Sequence, residues 1–180
     1  MVPAPPLLTV GHGTLAQQPF AELLRGAGVT SVVDVRRFPG SRRHPHFAAD
    51  AMRDWLPQSG IGYRWEPRLG GRRRLDESQA DADRWWTVEA FRAYAAHTRT
   101  PEFAAALAEV LAARGEPGRT AVMCSESLWW RCHRRLIADV TVLLHDVPVH
   151  HLAHSGGLTP HVPAAGARVA PDGLRYDGEE

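Results

Sequence analysis

Along the chain, short apolar runs rich in β-branched residues alternate with longer stretches whose apolar positions recur at helical spacing. Residues 7–10 form the first run, which ends in Gly11-His12-Gly13-Thr14, and residues 19–27 carry a helical pattern before Gly28. Residues 31–35 predict a strand buried on both faces, followed by a segment broken by Pro39, Gly40 and Pro45. A helix is expected over 47–56, stopped by Pro57 and Gly60, and a third strand over 61–65. Leu69-Gly70-Gly71 with Arg72 to Arg74 forms a charged, glycine-containing loop. Helical patterning returns over 88–96 and 102–113, parted near Thr100-Pro101. A fourth strand is expected over 120–123, a long helix over 127–145 and a last strand over 147–152, with a Gly-, Pro- and Ala-rich stretch after Gly156.

This alternation predicts an α/β fold: a single three-layer domain with a mainly parallel sheet, flanking helices and right-handed crossovers. The expected organisation is a flexible N-terminus over 1–6, one domain over 7–161 and a surface tail over 162–180. Ligands of such sheets bind outside the carboxyl ends of the strands, where three chemically loaded segments fall: 11–14, 34–43 and 124–126.

A length of 180 residues, 44% of them hydrophobic and 23% charged, suits one domain with its own core. No apolar run approaches the roughly 20 residues that span a bilayer, and the N-terminus lacks a signal-peptide pattern, so a cytoplasmic protein without membrane contact is expected. The two cysteines, eight positions apart, are expected to be free thiols. All 21 basic residues are Arg, and the net charge of +1 conceals an uneven distribution. Residues 31–75 hold ten Arg (36, 37, 42, 43, 53, 64, 68, 72, 73, 74) against Asp34, Asp50, Asp54 and Glu66. That surplus suits phosphate binding, with a solvated face as the alternative.

The sharpest constellation is Met123-Cys124-Ser125-Glu126 followed by Arg131-Cys132-His133-Arg134-Arg135. Cys124 is expected at a strand end facing a helix N-terminus, where the dipole stabilises a thiolate; a small buried hydrophobe is the alternative. Glu126 suits a general base. Arg131 and Arg134, one and two turns into the same helix, are expected to pair with it and leave Cys124 more acidic than usual and more reactive than Cys132. Cys132 falls on the stripe Leu128, Cys132, Leu136, Val140, Leu143, which predicts core packing. His133 either reaches the strand ends or bonds a neighbouring carbonyl. Cys124, Cys132, His12, His133, His150, His151 and His154 are soft ligands without the tight spacing of a zinc knuckle, so neither a metal nor a cofactor is expected. Gly11-His12-Gly13-Thr14 places His12 and Thr14 where a phosphate can sit, or is a plain turn. Asp34 and Arg36 point to one face, as an ion pair or as an acid–base with its electrostatic partner.

The ordered motifs Thr9-Val10-Gly11-His12, Asp34-Val35-Arg36-Arg37-Phe38-Pro39-Gly40-Ser41-Arg42-Arg43, Tyr63 with Leu69-Gly70-Gly71-Arg72-Arg73, Cys124-Ser125-Glu126, and residues 132–139 resemble the domain of unknown function family numbered 488, over about residues 7–161. The resemblance implies a bacterial or archaeal cytoplasmic protein and brings no established activity. The family more often has Ser or Thr directly after Gly-His, where Gly13 stands here, and Ala in place of Ser125.

Besides a partner-binding protein whose basic face meets an acidic surface, two function classes stay open. One is an enzyme acting on nucleic acid or a nucleotide through an anion-binding pocket. Its catalytic candidates are Cys124, Glu126 and Asp34; its substrate-binding candidates are His12, Thr14, Arg36, Ser41, Arg42, Tyr63, Arg131, His133 and Arg134, with Phe38, Tyr63, Trp65, Trp129 and Trp130 available for base stacking. The other is a non-catalytic nucleic-acid or nucleotide binding module using the same pocket. His12, Asp34, Arg36, Cys124, Glu126 and Arg134 are expected to line one cavity.

Overall fold

Successive side chains along the central strands are apolar on both faces, so the sheet needs a helical layer on each side. The structure, a computed structural model, describes residues 3–115 and 117–178 and shows those layers. Strands β1 (Leu7–Gly11), β2 (Val29–Asp34), β3 (Gly62–Trp65), β4 (Arg119–Cys124), β5 (Val149–Leu152) and β6 (Leu158–Pro160) form one sheet in the order β3-β2-β4-β1-β5-β6. The first five are parallel and β6 runs antiparallel to β5. Leu8, Val10, Val32, Ala121 and Met123 pack beneath α1 (Gln17–Gly26) and α2 (Ala49–Gln58). Leu7, Val33, Val35, Val122 and Val149 pack beneath α3 (Glu89–Thr98), α4 (Pro101–Ala112) and α5 (Arg134–His145). The break near residues 100 and 101 is a helix start: Thr100 Oγ1 accepts the Phe103 N–H at 3.2 Å, and Pro101 takes the first turn.

The topology fixes where a ligand can bind. From β1 the chain passes through α1 to β2, on the far side of β4; from β4 it passes through α5 to β5, on the far side of β1. Neighbouring strands thus send their connections in opposite directions, which opens a crevice between their carboxyl ends. Gly11 and Cys124 are register partners at that edge. A Cβ on Gly11 would lie 1.8 Å from the Glu126 carbonyl oxygen, so only glycine lets the two loops close together.

Two expectations are corrected. The helix predicted over 127–145 is interrupted: Trp129–Arg131 forms a single 3₁₀ turn, Cys132 is extended (φ −133°, ψ 158°), and α5 starts only at Arg134. The apolar spacing runs through the break because Leu128 and Cys132 are part-buried or buried for reasons other than a shared helix face. Residues 162–178 do more than wrap the surface. They form the hairpin β7 (Ala167–Ala170) and β8 (Gly173–Tyr176), whose Leu174 and Tyr176 are fully buried against α3, α5 and Trp86. Strands of four residues are too short for their alternation to register in a Gly- and Pro-rich sequence. Among the described residues no helix is long and apolar enough to cross a membrane.

If the hairpin completes the core, Leu174→Ala removes a buried side chain and costs about 2 to 5 kcal/mol in denaturant unfolding. A change below about 0.5 kcal/mol, the surface range, would restore the tail to the periphery.

Candidate active site at the carboxyl edge of the sheet

A cavity of about 340 Å³ occupies the crevice, lined by His12, Arg36, Cys124, Glu126, Arg131 and His133, among others. Ser41 lines it too and continues with Thr14 and Arg42 into an adjoining groove. Asp34, Tyr63 and Arg134 do not line the cavity; they stand behind its wall.

Asp34, 0% exposed, accepts Arg36 Nε (2.8 Å) and Nη2 (2.6 Å) on its two oxygens, and also the Arg36 backbone N–H and the Tyr63 hydroxyl. Its acceptor capacity is taken, so of the two roles open to it the geometry gives it the ion pair. Arg36 then donates to the Phe47 carbonyl (2.7 Å) and, through Nη1, to His12 Nε2 (3.3 Å). His12 stacks on Phe47 and gives its Nδ1 proton to the Gly13 carbonyl. Burial, followed in effect by the Arg36 charge, brings the His12 pKa down to about 4, so the ring is neutral at pH 7.

The floor of the cavity is a pair of thiols. Cys124 and Cys132 are both buried and free, with their sulfurs 2.9 Å apart. Extended geometry at Cys132 brings its sulfur under the start of α5, where it accepts the Arg134 N–H at 3.3 Å. Arg134 is 1% exposed and has no carboxylate partner among the described residues. Its Nε donates to Cys124 Sγ (3.0 Å), Nη1 to Thr9 Oγ1 (3.0 Å) and Nη2 to the Glu126 carbonyl. Burial works to raise both thiol pKa values. At Cys132 the bond from Cys124 and the Arg134 charge outweigh it and bring the value down to about 7, while Cys124, which gives up that bond, is held well above the ordinary range. The two shifts run in the direction opposite to the expected order, and Cys132, which packs in the core as its spacing predicts, also lines the cavity. His133 does both things open to it: Nε2 donates to the Val35 carbonyl (3.1 Å), which leaves Nδ1 as an acceptor 3.6 Å from Cys132 Sγ.

The expected pairing of Glu126 with Arg131 or Arg134 is also corrected. With no helix at 127–133, the carboxylate instead accepts the Leu128 N–H through Oε1 (3.0 Å), and Arg134 meets the Glu126 backbone. Behind Arg134 runs a buried chain that the sequence did not reveal. Thr9 donates to His151 Nδ1 (2.6 Å), His151 Nε2 to His161 Nδ1 (2.9 Å), and His161 Nε2 to Asp139 (2.7 Å), which also accepts the Tyr176 hydroxyl (2.8 Å). One tautomer, protonated at Nε2 in both imidazoles, satisfies every member. Burial first, with the neighbouring His161 and Arg134 also disfavouring a cation there, brings the His151 pKa down to about 3. Polar Thr9 and His151, in register on otherwise apolar strands, were the available signal.

The mouth of the cavity is cationic. Of the ten Arg over 31–75, Arg36, Arg53, Arg64 and Arg68 pair with carboxylates, whereas Arg37, Arg42, Arg43, Arg72, Arg73 and Arg74 do not among the described residues. Arg37 and Arg72 flank the Phe38 ring at 5.3 and 5.9 Å, and Phe38 is 61% exposed. Arg72 holds a left-handed φ of 58°, and its carbonyl accepts Arg37 Nη1 at 2.9 Å. Gly70 lets that loop approach, since a Cβ there would meet the Arg37 backbone nitrogen at 2.7 Å. Among the described residues no group of three or more His, Cys, Asp or Glu is placed to hold a metal ion.

A pocket floored by two free cysteines at the switch point of a mainly parallel α/β sheet defines the class of site. The chain belongs to the family described as Domain of unknown function DUF488, which matches residues 16–141. The matched region holds the arginine loop and both cysteines, and leaves His12, His151 and His161 outside it. Comparison with curated proteins and with solved structures found no match.

Because only the thiolate alkylates, Cys132 should react with iodoacetamide at a rate that rises with pH through about 7, while Cys124 stays protected. Peptide mapping after timed labelling checks this; faster labelling of Cys124 would contradict the assignment.

Proposed function

We propose that the protein is an enzyme acting on a nucleotide or nucleic acid, with phosphates held by Arg37, Arg72 and Arg131 at the cavity mouth and a cysteine thiolate at its floor. The observation that carries this proposal is the close Cys132–Cys124 pair, sulfurs 2.9 Å apart, at the floor of an arginine-rimmed cavity. A volume of about 340 Å³ lies at the lower end of small-molecule sites. Phe38, exposed between two guanidinium groups, offers a face on which a base can stack. Grooves extend from the cavity on both sides, one past Thr14, Ser41, Arg42 and Arg43, the other past Arg72, Arg73 and Arg74, and both suit a strand longer than one nucleotide.

In this scheme Cys132 is the nucleophile, with His133 Nδ1 placed to take its proton and the Cys124 thiol donating to the thiolate. Glu126 has one oxygen, Oε2, free of protein partners among the described residues and serves as the acid–base group at the substrate. Arg134 and Asp34 are positioning residues, acting through the thiols and through Arg36. The setting is the cytoplasm, where such thiols are kept reduced.

Fluorescence anisotropy with a labelled single-stranded oligonucleotide, competed by mononucleotides, tests the substrate class. The logarithm of affinity should fall by about 0.7 per phosphate contact for each log unit of salt. Arg72→Ala and Arg131→Ala should each remove about one contact from that slope. Absence of binding at low salt contradicts the proposal. Cys132→Ala should keep binding and lose turnover; if turnover is unaffected, the non-catalytic binding module is the better account.

A further inference from the structure

The two thiols at the cavity floor have a property that nucleotide chemistry does not require. Their sulfurs are 2.9 Å apart, already within about one ångström of a bonded S–S distance of roughly 2.05 Å. Nothing separates them, and both face the cavity. The segment between them carries one 3₁₀ turn and no helix that a bond would have to break. Both residues belong to the buried core, yet both also line the cavity, whose mouth carries Arg37, Arg72 and Arg131. We propose that Cys124 and Cys132 form a redox-active dithiol that exchanges with low-molecular-weight organic disulfides carrying carboxylates, which Arg37, Arg72 and Arg131 would receive.

The exchange balances in two steps. The Cys132 thiolate attacks one sulfur of the small disulfide; an S–S bond forms to Cys132, the original S–S bond breaks, and one small thiolate leaves and takes up a proton. The Cys124 thiol then gives up its proton and attacks Cys132 sulfur, which expels the second small thiol. The protein dithiol loses two electrons and two protons, and the small disulfide becomes two thiols. The two cysteines suit these roles: Cys132 is the more acidic and more exposed attacker, and Cys124 is the resolving thiol.

Arg134 sets the poise of this couple. In the reduced protein its buried charge is met by the thiol pair; in the disulfide it has no such partner. An interaction that stabilises the reduced form makes the disulfide more oxidising, so the bond should be readily reduced by a small thiol rather than persist as a structural link.

The test uses the full chain equilibrated without oxygen in mixtures of reduced and oxidised glutathione, acid-quenched, alkylated and weighed intact. At the oxidising end the monomer should lose two hydrogens and both alkylation sites, and reduced glutathione should restore them. Cys124→Ser should accumulate one glutathione on Cys132, and Cys132→Ser should accumulate far less on Cys124. Two thiols that stay alkylatable across the series, or wild-type oxidation that yields only glutathione adducts or intermolecular dimers, would overturn the proposal. The wild-type masses decide this even if a variant fails to fold. Nucleotide binding measured on the same samples separates the failure of this inference from that of the substrate proposal.

Discussion

A guanidinium group sealed inside a protein without a carboxylate sets the terms for the rest of this structure. Removing such a charge from water costs several kcal/mol unless something opposite to it is buried alongside. Arg134 meets a thiol, a hydroxyl and a carbonyl, and of these only the thiol pair can take a negative charge. Burial by itself lowers the Arg134 pKa, yet the two cysteines turn the net shift upward. The bond from Cys124 and, after it, the same coupling to Arg134 bring Cys132 down to about 7 against the effect of burial. Cation and thiolate are therefore one unit, and neither has a physical reason to be where it is without the other.

The fold supplies that unit with its place. Opposite connections from β1 and β4 open the crevice, Gly11 permits the closure of its two loops, and the break before α5 turns Cys132 toward the opening. On one flank, Asp34 fixes Arg36 and Arg36 fixes a neutral His12. On the other, the chain from Thr9 through His151 and His161 to Asp139 holds Arg134 from behind and ties it to Tyr176 of the final hairpin. At the mouth, Arg37, Arg72 and Arg131 have no carboxylate partner among the described residues, which leaves guanidinium charge there for an anion.

Much of this was legible in the sequence. Five parallel strands, the helices between them, and the gathering of His12, Arg36, Cys124 and Glu126 at one sheet edge follow from apolar periodicity and the rule that loops at strand ends carry chemistry, whereas Asp34 and Arg134, expected with them, stand behind the cavity wall. What escaped has physical causes. Helical spacing continued through residues 127–133 although the backbone there is a 3₁₀ turn and an extended cysteine, so Cys132, correctly read as packing, was not seen to line the cavity as well, and Glu126 was given partners it does not reach. Pairs such as Cys124 with Cys132, and Thr9 with His151, depend on tertiary contacts that periodicity does not encode. Residues 162–178 contribute Leu174 and Tyr176 to the core through strands too short to show a pattern.

The charge of the dithiol pair is the centre of the account, and ultraviolet absorbance of the thiolate, followed against pH in the reduced protein, measures it directly. The wild-type protein should show the absorbance of one thiolate developing through about pH 7, well below the ordinary cysteine range of about 8.5. In Arg134→Met, where the buried cation is replaced by an uncharged, unbranched side chain, that transition should move to higher pH. A wild-type protein in which both cysteines remain fully protonated up to the ordinary range would contradict the account, whatever the variant does.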